Sequence, residues 1–74
     1  MNIWQHYKGD LYNVISFNAK DENGRKVIVY EPLYHNAQAE VFTQPYTRWF
    51  DTVEHNGQRV DRFRPVDMKE FLKS

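Results

Sequence analysis

Residues 44–50, QPYTRWF, gather three aromatic rings and an arginine around one proline. Side chains of these types neither attack nor transfer; their chemistry is contact. Tyrosine, tryptophan and arginine join a large apolar surface to a polar handle, and they dominate the energetics of protein interfaces. Rings beside a cation also stack on bases and nucleotide rings. Two other clusters share this character: Trp4, His6, Tyr7 and Lys8 near the N-terminus, and Tyr30 and Tyr34 on either side of Pro32. The candidate binding residues are therefore His6, Tyr7, Lys8, Tyr34, Gln44, Tyr46, Arg48 and Trp49. The competing use of such rings is to fill a core. Trp4, Tyr12 and Tyr30 are expected inside, Tyr7 and Lys8 beside the Gly9 turn are expected outside, and for Arg48 and Trp49 both fates stand.

Catalytic chemistry finds little to work with. There is no cysteine, which rules out disulfides, thiolate zinc sites and a thiol nucleophile. Ser16 sits in mid-strand and Ser74 at the C-terminus, neither on a glycine-flanked elbow. The three glycines fall singly at turns, so no loop cradles a phosphate. His6, His35 and His55 lack metal-ligand spacing, and the carboxylates lie beside turns or opposite arginines. We expect no catalytic residues, no metal and no cofactor.

These residues must be positioned by a very small fold. Seventy-four residues suffice for one domain, 1–74, whose core supplies only about 3–5 kcal/mol unless something reinforces it. Dense packing of rings, which make up 16% of the chain, or oligomerisation must provide that reinforcement. Formal net charge is zero, without the basic excess of a general nucleic-acid binder. No apolar run reaches membrane-spanning length and the N-terminus lacks the apolar core of a signal peptide, so a cytoplasmic protein is expected.

Two Asn-Gly pairs between strand-type residues predict hairpins. In VISFNAKDENGRKVIVYE, a two-residue turn at Asn23-Gly24 puts Ile15, Phe17, Ala19, Ile28 and Tyr30 on one face. In DTVEHNGQRVDRF, a turn at Asn56-Gly57 sets Glu54 opposite Arg59, Val53 opposite Val60 and Asp51 opposite Arg62. Upstream, IWQHYKGDLYNV reads as a short strand, a turn at Lys8-Gly9-Asp10, and entry into a long strand at Leu11. A loop is expected at His35–Ala39, a strand at Glu40–Thr43 and a single helical turn at 45–50, with Pro45 in its first turn. Asp67, Glu70, Val66 and Phe71 make a start signal for a helix from Met68 to about Lys73. The fold class is mainly β: a small, strongly bent sheet or an SH3-like barrel, the barrel being the first choice, with a short C-terminal helix.

The segments HYKGDLYNV, VIVYEPLY and PYTRWFDTVEHNGQRVDRF, in this order and spacing, resemble a family of small bacterial and phage proteins, domain of unknown function family 1653. The residues that carry the resemblance are His6, Tyr7, Lys8, Gly9, Tyr12, Val14, Val29, Tyr30, Leu33, Tyr34, Pro45, Thr52, Val53, Glu54, Gly57, Arg62 and Phe63, spread over residues 4 to 64. The pattern's tryptophan falls at Phe42, its arginine before proline at Gln44, and its phenylalanine closing the turn at Trp49. An anion-binding role for that arginine would be lost here or pass to Arg48 in the next turn. The resemblance implies a compact β-rich module and supplies no activity. The expected function is a non-enzymatic binding module for a protein partner. The alternatives are a small molecule or nucleotide, with its pocket alone or at a homo-oligomer interface, and after these a nucleic acid.

Overall fold

The structure, a computed structural model, describes residues 2–34, 40–67 and 69. Seven strands and one helical turn follow in order: β1 (Ile3–His6), β2 (Leu11–Lys20), β3 (Lys26–Pro32), β4 (Phe42–Pro45), α1 (Tyr46–Trp49), β5 (Thr52–His55), β6 (Gln58–Asp61) and β7 (Phe63–Pro65). The fold is mainly β. Five strands form an antiparallel sheet in the order β4-β3-β2-β1-β7, and β5-β6 form a separate two-stranded hairpin. β4 and β7 are its two edges, so the sheet is bent but not closed into a barrel. The loop expected at 35–39 and the helix expected at 68–73 lie outside the described residues. The Asp67 carboxylate does accept the Lys69 N–H at 2.9 Å, the contact expected of a capping residue.

The first hairpin departs from its expected register, and the reason is local. Asp21 closes a wider turn: its Oδ1 accepts the N–H groups of Asn23 and Arg25, each at 2.9 Å, and its own N–H reaches the Arg25 carbonyl. An aspartate that satisfies two turn amides competes effectively with a two-residue turn. Lys20 therefore faces Lys26 and Ala19 faces Val27, and β2 then carries surplus residues between Val14 and Ser16 and between Ser16 and Ala19. Each such bulge reverses the in-out alternation. As a result Val14 is buried opposite Tyr30 while Ile15, expected inside, is 51% exposed. Phe17, of opposite parity to Val14, still packs on the core.

The second hairpin has the expected register, with Val53 facing Val60 and Glu54 facing Arg59. Asn56 and Gly57 have φ of 53° and 77°, the paired left-handed values of a type I′ turn. The Arg59 guanidinium nevertheless turns to Thr52 Oγ1 at 2.9 Å. The strand expected at 40–43 is found at Phe42–Pro45, and Pro45, expected within the first helical turn, instead remains extended (φ −53°, ψ 138°) and ends β4 as the residue before α1. Pro45 and Pro65 close the two edge strands, positions where a missing N–H leaves no ladder bond broken.

Tyr12, Val14, Ile28, Tyr30, Trp49 and Phe63 form the core, with Trp4, Phe17 and Phe42 packed around it. Trp49 is fully enclosed, its ring stacked on Phe63 at 3.8 Å and 6°. Tyr30 and Trp4 meet it edge-on at 4.9 and 5.6 Å. Dense ring packing is thus one source of the reinforcement that the short chain requires. No described helix is long and apolar enough to cross a membrane.

Candidate functional site

The eight candidate residues do not form one surface. Three gather at the β3–β4 end of the sheet, where the Tyr12 and Tyr30 rings turn their hydroxyls out of the core. Tyr34 meets Tyr12 hydroxyl to hydroxyl at 3.5 Å, and the Gln44 amide reaches the Tyr30 hydroxyl at 3.5 Å. The Arg48 guanidinium is exposed and near enough for its charge to favour the Tyr30 phenolate. Burial outweighs that influence, so the Tyr30 hydroxyl titrates above its usual range, and burial with the Tyr34 bond does the same to Tyr12. Both phenols therefore stay protonated at neutral pH: the Tyr12 O–H donates to Tyr34, while the Tyr30 hydroxyl accepts from Gln44 and keeps its own proton to donate. Leu33, Tyr34 and Val41, where β3 ends and β4 begins, are each at least 37% exposed.

Two candidates lie elsewhere. Trp49 is in the core and is corrected from a surface residue to a packing residue. One helical turn accounts for the split between neighbours, since successive side chains diverge by about 100° and Trp49 can face inward while Arg48 faces water. The indole Nε1 has no hydrogen-bond partner among the described residues, so it is packing that holds the ring. Tyr46 points to the far side of α1, against Phe50 at 4.8 Å, with the Lys26 ammonium 5.4 Å from its ring centre.

The remaining candidates belong to a second region. Gly9, with φ of 109°, lets the chain reverse between β1 and β2, and the His6 N–H bonds the Asp10 carbonyl across that turn. The His6 ring then folds back so that Nδ1 accepts the Lys8 backbone N–H at 3.2 Å. That bond assigns the proton of the neutral ring to Nε2. Burial first, then the charges of Lys8 and Arg62, lower the His6 pKa, against a smaller opposing influence from Asp10. Tyr7 lies between two imidazoles, 4.5 Å from His6 and 5.2 Å from His55. These three rings, with Gln5, Asp61 and Arg64, line a cleft of about 300 Å³ between the β1–β2 turn, the β5–β6 hairpin and β7. Lys8 stays outside the wall, with Nζ 5.8 Å from the Tyr7 ring centre.

Gln5, His55, Asp61 and Arg64 were not among the candidates read from the sequence. Nothing local marks them: β7 is bonded along β1, so that Arg64 donates to Gln5 Oε1 at 2.7 Å across 59 residues of chain. Among the described residues, no group of three or more histidine, aspartate or glutamate side chains has the geometry of a metal site.

The model of a family described as "Protein of unknown function (DUF1653)" matches residues 2–65 of the chain. A crystal structure of a DUF1653 protein from Bordetella bronchiseptica is similar in sequence and fold. It is 33% identical, with a TM-score of 0.79, over 86% of this chain and 82% of that one. No curated protein matches the chain.

Proposed function

The chain belongs to the DUF1653 family, and we propose that it is a non-enzymatic binding module whose partner is a protein engaged at the β3–β4 end. The observation that supports this reading is that Tyr34 meets the Tyr12 hydroxyl and Gln44 the Tyr30 hydroxyl, with Arg48, Leu33 and Val41 exposed. Such a surface offers apolar contact, four uncharged or cationic donors and no carboxylate in its hydrogen bonds, which suits a partner presenting an acidic side chain amid apolar ones. A β-strand partner fits less well, because prolines end both edge strands.

The non-enzymatic part of the reading rests on the other region. The neutral His6 ring has spent its lone pair on the Lys8 amide, and the other basic groups of the cleft, His55 and Asp61, have no serine or threonine in its lining to activate as a nucleophile.

The test places a photo-crosslinking residue at position 34, identifies the captured protein in lysate of the source organism, and measures its affinity with purified components. Tyr34→Ala and Arg48→Glu are expected to weaken that affinity more than about tenfold while the melting temperature moves by only a few degrees, both side chains being exposed. Unchanged affinity in both variants rejects the surface.

A further inference from the structure

We propose that the cleft lined by Gln5, His6, Tyr7, His55, Asp61 and Arg64 is a separate ligand site, and that it takes an uncharged nitrogen heterocycle of nucleobase type, free or as a nucleoside. The assignment does not depend on the protein-binding face, which shares none of these residues.

Shape comes first. About 300 Å³ is the lower end of the range for ligand clefts, roughly 300–1,000 Å³, and suits one ring system better than an extended cofactor. Three rings in mutual contact, His6 to Tyr7 to His55, border the cleft, and aromatic surface of this kind favours a planar, polarisable guest. An aliphatic guest would gain only apolar contact there.

Charge comes second. Arg64 and Asp61 contribute one cation and one anion to the wall and His6 is neutral at pH 7, while Lys8 and Arg62 lie near it with Asp10 opposing them, so the wall itself carries no net charge that selects a polyphosphate or a polyamine. It does offer directed hydrogen bonds of both kinds. The His6 Nε2–H and the Arg64 guanidinium donate, while the Asp61 carboxylate has no hydrogen-bond partner among the described residues and accepts. A base edge, which alternates ring N–H or amino donors with ring nitrogen or carbonyl acceptors, matches that set. Gln5 is the brace rather than a contact. Its amide N–H donates to the Gly9 carbonyl at 3.1 Å and its oxygen holds Arg64 at 2.7 Å, so the guanidinium is oriented before any ligand arrives.

The test is a titration of ¹⁵N-labelled protein with adenosine, guanosine, cytidine and uridine, followed by NMR. Leucine and ribose 5-phosphate serve as controls that share size but not ring chemistry. At least one nucleoside is expected to shift the amides of Tyr7, Gly9, His55 and Asp61 in a saturable manner, with both controls silent. Tyr7→Ala and Arg64→Gln should each weaken that nucleoside about tenfold or more while leaving the remaining spectrum in place. Equal shifts from leucine or ribose 5-phosphate, or none from any nucleoside, overturn the proposed ligand class. So does unaltered affinity in both variants. A single-stranded oligonucleotide is titrated at two salt concentrations as a separate arm. Binding tighter than any nucleoside, with a steep loss on added salt, overturns the free-ligand assignment and gives the cleft to bases within a strand.

Discussion

At the α1 end of the molecule, Trp49 lies flat on Phe63 with Tyr30 and Trp4 against its edges, and no part of it reaches water. At the β1–β2 turn, Tyr7 also touches two rings, yet it is only half-buried and borders open space. What differs is the number of backbone layers that converge. Trp49 descends from a helical turn onto a sheet, so strands and helix cover it from opposite sides. Tyr7 sits where a tight turn, a projecting hairpin and an edge strand approach without closing. Rings become core where two layers overlap and become a cleft wall where edges merely meet.

Substitutions can break that contrast, and Trp49→Ala should have the largest effect. Removing a fully enclosed indole should cost about 3–5 kcal/mol, comparable to the whole stability of so small a domain, whereas Tyr7→Ala should cost less than about 1 kcal/mol. Urea unfolding of the two variants measures the difference, and equal losses would erase the distinction between the ends. Gly9→Ala comes next. No atom crowds the new methyl group, but φ of 109° is unfavourable for any side chain, so a loss of about 1–2 kcal/mol should appear as a lower melting temperature. An unchanged melting temperature would mean that the turn does not hold the cleft open. Trp49→Phe should cost less than Trp49→Ala, because it keeps most of the ring contact and removes an indole N–H that has no partner. A loss as large as alanine's would give the indole edge a role that packing does not explain.

The smallest expected effect depends on pH. The folded protein binds the His6 proton less tightly than the unfolded chain does, so the unfolded state carries more protons between the lowered value and the usual 6.5. Stability therefore rises with pH through that window and falls as the solution is acidified below 6.5. Protonation also removes the acceptor for the Lys8 amide. In unfolding measured from pH 7.5 to about 5, His6→Gln should flatten that part of the profile. Identical slopes in both proteins would detach His6 from the turn.

Much of the architecture was legible from local chemistry. The Asn56-Gly57 turn, the reversal at Gly9 and the helical turn after Pro45 follow from residues within a few positions of each other. The register of β2 was not legible, because a carboxylate at Asp21 redirects the first turn and two bulges then absorb the shift. The barrel likewise failed to follow: alternation reports which face of a strand is apolar, not whether the edges β4 and β7 meet. Of the candidate residues, His6 and Tyr7 lie together as their neighbouring positions imply, and Tyr34 and Gln44 reach the hydroxyls of Tyr12 and Tyr30. Trp49 could not be assigned, since its neighbour Arg48 has the same local context and the opposite fate. Asp61 and Arg64 join the cleft wall only when the chain's last described strand returns to its first.

The two bulges in β2 have a consequence for how this chain can change length. Losing the surplus residue at either bulge would leave Val14 opposite Tyr30 and Ala19 opposite Val27, so the ladder would become regular there while the side chains on both flanks kept their faces. Losing Asn13 instead would move Tyr12 one place along the ladder and turn it off the core face. Viable relatives shortened in this strand should therefore have lost their residue at a bulge.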